Sequence, residues 1–328
     1  MQATASSALP RTDLRAATSR GRRADRAFKV VALGAGLVVL AVLAGIAIST
    51  TQKAWPAFKL EGLGYFFGTT WNPAAQKFGA FPFIYGTLVV SAIAVFFGVP
   101  VSIGIALFTS EVAPKRLKSW VVMVTDLLAA IPSVVFGLWG LLVLAPHLKG
   151  VYDSIGSAVS GVPVLRTLFA PGISGNAYFT AGVILALMIT PIITSVTREV
   201  FTTVPRNDKE GALALGATRW EMIRGVVLPH STGGMLGAIM LGLGRAMGET
   251  IAVALVIGGN ARIYTSLFGA GEAMPSAIAK NLGESPSTPN YLEALVGLGV
   301  TLFAVTIIVN VAARWIVGRV DLRLRGVA

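Results

Sequence analysis

FIYGTLVVSAIAVFFGVPVSIGIALFT, residues 83–109, contains no charged side chain. Wound as a helix at 1.5 Å per residue, such a run is about 40 Å long, enough to cross a hydrocarbon layer of about 30 Å. Five further apolar blocks accompany it, at about 30–51, 120–144, 178–197, 233–258 and 293–317. The segments between them carry the Gly, Pro, Asn and charge that belong outside the hydrocarbon. A membrane strand alternates apolar and polar residues over about ten positions, and none of these blocks does. The pattern predicts an all-α, polytopic membrane protein with six spanning helices.

Composition agrees. Of 328 residues 54% are hydrophobic and 13% charged, against about 25% charged in a soluble domain. There is no cysteine, which excludes disulfides, thiolate metal sites and a cysteine nucleophile together. Residues 1–27 hold no apolar run and are rich in Ala, Ser, Thr and Arg, so a disordered basic arm is expected there. A cleaved signal peptide needs only about 7–15 apolar residues and a small-residue exit. Val30 to Thr51 is longer and lacks a clear exit, which favours an uncleaved first span.

The formal net charge is +12, and its placement gives the orientation. With the N-terminus inside, 19 of the 27 Lys and Arg are cytoplasmic. They are the seven up to Lys29, then Lys115, Arg116 and Lys118, the five from Arg198 to Arg224, and four from Arg314 to Arg325. Seven (Lys53, Lys59, Lys77, Lys149, Arg166, Arg262 and Lys280) fall on outer segments, and Arg245 lies inside a span. By the positive-inside bias both termini are cytoplasmic and 52–82, 146–177 and 259–291 external. Basic residues dispersed among loops also argue against a nucleic-acid partner, which needs one groove-sized patch. The outer aromatics Trp55, Tyr65, Phe66, Phe67 and Trp71 fit interfacial anchors facing membrane lipid, with contact to an external partner as the alternative.

The longest cytoplasmic segment, 198–229, holds Asn207-x-x-Glu210 and Thr218-x-x-Glu221 with Gly216 between them. Both have capping-box spacing, predicting two short helices joined by a tight turn; a plain loop with two chance matches is the alternative. Glu210-Gly211-Ala212, Gly216, Ala217, Ile223 and Leu228-Pro229 resemble the EAA loop of binding-protein-dependent ABC importer permeases. Gly211 departs from the usual second Ala. The resemblance implies a coupling helix in which Glu210, Gly211, Ala212, Gly216 and Ala217 meet a cleft in a separate ATPase. The chain has no Gly-Lys pair and hence no phosphate-cradling loop of its own.

The fifth block contains Gly242-Leu-Gly-Arg245-Ala-Met-Gly-Glu249-Thr250. On a continuous helix Arg245 and Glu249, four apart, share a face, and each is costly in hydrocarbon unless paired or hydrated. Either they form a structural ion pair or they line an anion path. Gly244 and Gly248 have the G-x-x-x-G spacing that admits close helix approach. The segment from Gly242 to Val253, together with Ile131-Pro-Ser-Val-Val-Phe-Gly-Leu-Trp-Gly140, resembles the PstC family of phosphate-importer permeases. It matches the related PstA family less well, because Ile251-Ala252-Val253 stands where PstA continues Ala-Pro-Leu.

The resemblance covers residues 28–318 in architecture, leaving the arm and a cytoplasmic tail at 319–328 outside it. It implies a path for inorganic phosphate built on Arg245 and Glu249, with Thr250 a lesser candidate. It further implies a PstA-like second permease, a PstB-like ATPase dimer and a PstS-like external phosphate-binding protein. This chain would bind no cofactor, ATP and Mg residing on the ATPase, and would not itself be an enzyme. Asp126 lies six residues before Pro132, whose missing amide hydrogen is expected to break the helix and free carbonyls, and it either faces the same cavity or sits at the cytoplasmic interface. His147 and His230 adjoin prolines and are expected in solvated loops; two isolated histidines do not make a metal site. The rival readings are a permease for sulfate or molybdate, a self-sufficient channel or secondary transporter, and an intramembrane enzyme, for which no nucleophile-and-base set is present.

Overall fold

The computed structural model describes residues 14–283 and 289–324. Residues 1–13 of the expected arm, 325–328 of the expected tail, and 284–288 lie outside them. The described chain is helical throughout, apart from one hairpin and the connecting loops. Six helices are long and apolar enough to cross a membrane: Asp25–Glu61, Phe81–Val112, Ser133–Ala158, Tyr178–Thr202, Arg219–Gly248 and Tyr291–Trp315.

The chain divides after Gln52 into two units. The first is carried by α1 (Leu14–Glu61), which runs on into the second. Residues 14–27 of the expected disordered arm are therefore helical, a correction that follows from their Leu, Ala and Arg content, all good helix formers. Within the expected span Val30, Leu37, Leu43 and Ile48 are exposed, as lipid contact requires. The hydroxyls of Thr50 and Thr51 donate to the carbonyls of Ile46 and Ala47, each at 2.7 Å, so neither carries an unpaired polar group into hydrocarbon.

The second unit begins with the end of α1 and a compact layer on the side expected to be outer, α2 (Gly64–Phe67) and the antiparallel pair β1 (Trp71–Asn72) and β2 (Lys77–Phe78). This layer corrects the expectation for the outer aromatics. Tyr65 is fully buried and Phe66 and Trp71 partly so, packed with Phe58, Phe78, Phe83 and Tyr291; Trp55 and Phe67 remain exposed. The Tyr65 hydroxyl donates to the Ala294 carbonyl at 2.7 Å, and burial raises its pKa far above the ordinary tyrosine value.

Below this layer α3 (Phe81–Leu107) lies along α8 (Tyr178–Thr202), the most buried span. Glycine makes the approach possible from both sides. A Cβ at Gly98 would stand 2.9 Å from Ile189 Cγ1, and one at Gly182 2.4 Å from Ile93 Cγ2, so each helix seats the other's isoleucine in a glycine notch. The Ser102 hydroxyl donates across the pair to the Thr190 carbonyl at 3.2 Å.

The expected third span, 120–144, is not one helix. α4 (Lys115–Ala130) stops at Ile131 and Pro132, both extended, and α5 (Ser133–Trp139) starts afresh. A π turn (Gly140–Leu144) then leads into α6 (Ala145–Ala158), so the spanning stretch shifts to 133–158 and takes in residues expected outside. α7 (Pro163–Leu168) precedes α8; α9 (Arg206–Ala214) and α10 (Arg219–Met222) follow it; a second π turn, Ile223–Val227, opens α11 (Leu228–Gly248). These two π turns precede Pro146 and Pro229, where a ring without an amide hydrogen crowds the carbonyl four residues back and a widened turn relieves it. The expected fifth span is likewise interrupted, α12 (Ile251–Val256) beginning after a break at Glu249 and Thr250. α13 (Met274–Asn281) folds back into the outer layer, and α14 (Tyr291–Leu324) is the last span.

Candidate functional site

The two motif-bearing segments meet. α5 and α12, the short helices that follow the two breaks, pack on each other through small residues. A Cβ at Gly137 would come within 2.8 Å of Ala252 Cα, and one at Gly140 within 2.9 Å of Val256 Cγ1. Backbone freed from a helix inside a membrane has to be re-satisfied by protein or by a water-lined cavity. A pair of adjoining broken helices is therefore where polar substrate contacts can be built.

Arg245 stands in the last turn of α11, where the helix dipole favours a cation. Its side chain is exposed, and among the described residues it has no ion pair or hydrogen bond. The expected shared face with Glu249 is corrected, because α11 ends at Gly248 and Glu249 is extended, φ −70° and ψ 128°. Glu249 Oε1 instead accepts the Ala252 amide at 3.4 Å, placing its charge at the start of α12. The Thr250 hydroxyl donates to the Gly248 carbonyl at 3.2 Å. The break thus has its own local partners, and Arg245 is left unpaired among the described residues.

Gly244 and Gly248 have open space where a side chain would be. With Gly299, Leu302, Phe303, Thr306 and Ile307 of α14 they line a groove of about 250 Å³. Asp126 is exposed on α4, and no hydrogen bond or ion pair joins it to Arg245, Glu249 or Thr250. The histidines lie in helices, a correction to the expected loops: His147 in α6, its Nδ1 2.6 Å from the Val143 carbonyl, and His230 at the start of α11. Among the described residues no three His, Asp or Glu group to hold a metal.

On segment 198–229 the two-helix reading fits the observed α9 and α10, and one of its two caps is present. Thr218 Oγ1 accepts the Glu221 amide at 3.3 Å while Glu221 Oε2 accepts the Thr218 amide at 2.8 Å. The other expected box is absent, since Pro205 holds the cap position and Asn207 lies within α9. Proline's fixed φ starts the helix two residues earlier. Gly216 at φ +89° ends α9, with Ala217 N donating to Ala212 O at 3.1 Å and Gly216 N to Leu213 O at 3.0 Å, the pair of bonds that defines a Schellman turn. Glu210 and Gly211 are exposed on this unit, as are Leu215 (91%) and Trp220 (62%) beside them.

Three charge pairs among the described residues went unread in the sequence, one of them, Lys149 with Asp153, spanning a single turn of α6. Glu111, in a π turn (Phe108–Val112) at the end of α3, pairs with Lys209 at 2.6 Å. In the outer layer buried Glu272 has Lys280 at 3.2 Å, at an angle that makes a charge contact and not a hydrogen bond. Glu272 followed a glycine-rich loop and carried no motif; only its position beside buried apolar residues hinted at burial.

Residues 98–326 match the model of the family described as binding-protein-dependent transport system inner membrane component. The chain belongs to this family. It is 42% identical over 319 residues to the phosphate transport system permease protein PstC of Mesorhizobium japonicum, covering 96% of this chain and 97% of that one. It is also 39% identical over 315 residues to PstC 2 of Mycobacterium tuberculosis, covering 95% and 96%. Among solved structures, a bacterial alginate ABC transporter in complex with an alginate pentasaccharide-bound periplasmic protein has the same fold, with a TM-score of 0.54 and 19% identity over 92% of this permease chain and 97% of that one. The chain is thus a multi-pass transport component of the ABC importer type.

Proposed function

We propose that this chain is a permease subunit forming the transmembrane path for inorganic phosphate, driven by ATP hydrolysis on a separate subunit. The observation that carries this reading is identity of about two in five residues, over nearly the whole chain, with PstC permeases. Arg245 supplies the chemistry. A guanidinium stays charged and offers planar, paired donors to phosphate oxygens. An unpaired cation on an apolar helix is costly in lipid, so the face that carries it is covered or hydrated in the working complex. Glu249, capping α12, fixes the break beside Arg245 and adds negative charge that keeps the anion from binding too tightly to leave. Thr250 adds a hydroxyl at the same turn, and Asp126 stands as a weaker candidate on the path.

The complex comprises a PstA-like second permease, a PstB-like ATPase dimer that holds ATP and Mg, and a PstS-like external phosphate-binding protein. Both termini face the cytoplasm of a bacterial cell. Glu210, Gly211, Ala212, Gly216 and Ala217 present the coupling surface to the ATPase. The test is ATP-dependent uptake by the reconstituted complex with phosphate, sulfate and molybdate in turn. Phosphate alone is expected to accumulate, and Arg245→Lys to assemble normally yet transport poorly. Uptake of sulfate or molybdate in preference refutes the phosphate assignment, and substantial phosphate transport by Arg245→Ala refutes Arg245 as an essential phosphate ligand.

A further inference from the structure

Of the four charged residues that open α9, Arg206, Asp208 and Glu210 are exposed, whereas Lys209 is turned inward. Its ammonium meets three elements at once. It is carried by α9, it lies 2.6 Å from Glu111 Oε1 at the end of α3, and it donates to the Phe201 carbonyl in the last turn of α8 at 3.3 Å. The side chains of Lys209 and Glu111 are 18% and 9% exposed. A carbonyl at a helix C-terminus has no partner within its own helix and carries the negative end of the dipole. Lys209 therefore neutralises two negative groups contributed by two different spans. The contact roofs a small apolar core in which Ala106 of α3 and Phe201 of α8 pack with Met222, Ile223 and Val227, Ala212 of α9 lying against them.

We propose that Lys209 is a positioning residue that locks the coupling helix to α3 and α8, so that a displacement imposed on α9 is delivered to the two spans as one body. This rests on the reading of 198–229 as an ATPase-coupling segment. The mechanical reasoning is that α3 and α8 are the pair keyed together at Gly98 with Ile189 and Gly182 with Ile93. A push delivered to that pair moves a rigid unit, whereas one absorbed by the Thr203–Pro205 connection moves nothing beyond α9. The apolar core resists separation of the elements but permits sliding; the hydrogen-bonded charge pair fixes direction as well as distance. Neither Lys209 nor Glu111 reaches the broken helices that carry Arg245 and Glu249, so the role proposed is mechanical and involves no contact with substrate.

The experiment uses the whole reconstituted complex and reads ATP hydrolysis and phosphate uptake in the same vesicles. Lys209→Met and Glu111→Gln are expected to lower uptake per ATP about tenfold while hydrolysis falls no more than about twofold, and Lys209→Arg, which keeps the donor, to retain at least half the wild-type ratio. A merely structural role lowers both rates together and leaves their ratio unchanged, and that result overturns the proposal, as does a wild-type ratio in Lys209→Met. A second readout does not depend on the substrate. Because the chain has no cysteine, spin labels can be placed at Leu213→Cys and Val112→Cys, both exposed positions. Their separation is expected to stay constant between nucleotide states in the otherwise wild-type complex and to shift or broaden with Lys209→Met. Identical distributions in the two refute the lock. Failure of the wild-type complex to take up phosphate refutes the substrate assignment instead, and the label distances still decide the lock.

Discussion

Two glycines five residues apart in segment 198–229 are predicted to respond to alanine with opposite sign. Gly211 lies in the exposed middle of α9 with open space where a Cβ would go, so Gly211→Ala adds helix propensity at no steric cost, a gain of about 0.5–1 kcal/mol. Gly216 also has open space around it, but its φ is +89°. There Gly216→Ala places an L side chain in a left-handed conformation at a cost of about 1–2 kcal/mol, and the two bonds of the Schellman turn that depend on that conformation are strained with it. The variants should differ by about 2 kcal/mol, which is roughly a 30-fold difference in the opening equilibrium of the segment. Amide hydrogen exchange of residues 206–217 in the assembled, detergent-solubilised complex measures that equilibrium directly. Slower exchange in Gly211→Ala and faster exchange in Gly216→Ala are expected. If Gly216→Ala exchanges no faster than the unaltered protein, the left-handed turn is not what terminates α9 and the reasoning fails.

Gly137→Ala should push α5 off α12, because the new Cβ meets the Ala252 backbone at 2.8 Å; overpacking of this kind costs about 1–3 kcal/mol, visible as a lowered unfolding midpoint, and an unchanged midpoint contradicts the packing. Tyr65→Phe removes the buried hydrogen bond to the Ala294 carbonyl and should destabilise the outer layer by about 0.5–1.5 kcal/mol, leaving ATP-dependent uptake per assembled complex unaltered; a gain in stability refutes it. With Leu213→Cys in the cysteine-free chain, a membrane-impermeant thiol reagent should label inverted vesicles and spare intact cells, and labelling from outside overturns the orientation.

The spans were legible because hydrophobic length is a property of composition along the chain, and a block such as 178–197 needs no tertiary information to be recognised. The break at Ile131–Pro132 was legible through Pro132, whose missing amide hydrogen is a local signal. The break at Glu249–Thr250 was not, because hydropathy averages over a helix and the unwound dipeptide between its halves, and an acid in an apolar run reads equally well as one member of an i, i+4 pair, whereas Glu249 accepts the Ala252 amide. Segment 198–229 divided in the same way. Thr218 and Glu221 are close in sequence and made the box their spacing predicted, whereas Asn207 lost its cap position to the backbone preference of Pro205. Glu111 and Lys209, 98 positions apart, carry no local sign of each other, and only the packing of α3 against α8 brings their ends together.

Arg245 and Glu249 show how one unwound turn changes what a pair of charges can do. Had α11 continued, the carboxylate would have lain one turn beyond the guanidinium on the same face, the two would have satisfied each other, and an anion would have had to break that pair to bind. Ending the helix at Gly248 instead gives Glu249 the amide of Ala252, so the acid is stabilised without consuming the arginine. The guanidinium is then held at a helix end, unpaired within the chain, next to a segment whose backbone is already out of the helical ladder. The same separation of duties recurs at the start of α9, where Lys209 is consumed by Glu111 and the Phe201 carbonyl while Glu210 beside it stays exposed. In each case nearby charges are assigned different work by a local backbone choice, one engaged within the chain and one left exposed, and it is the engaged member whose loss should damage positioning before it damages binding.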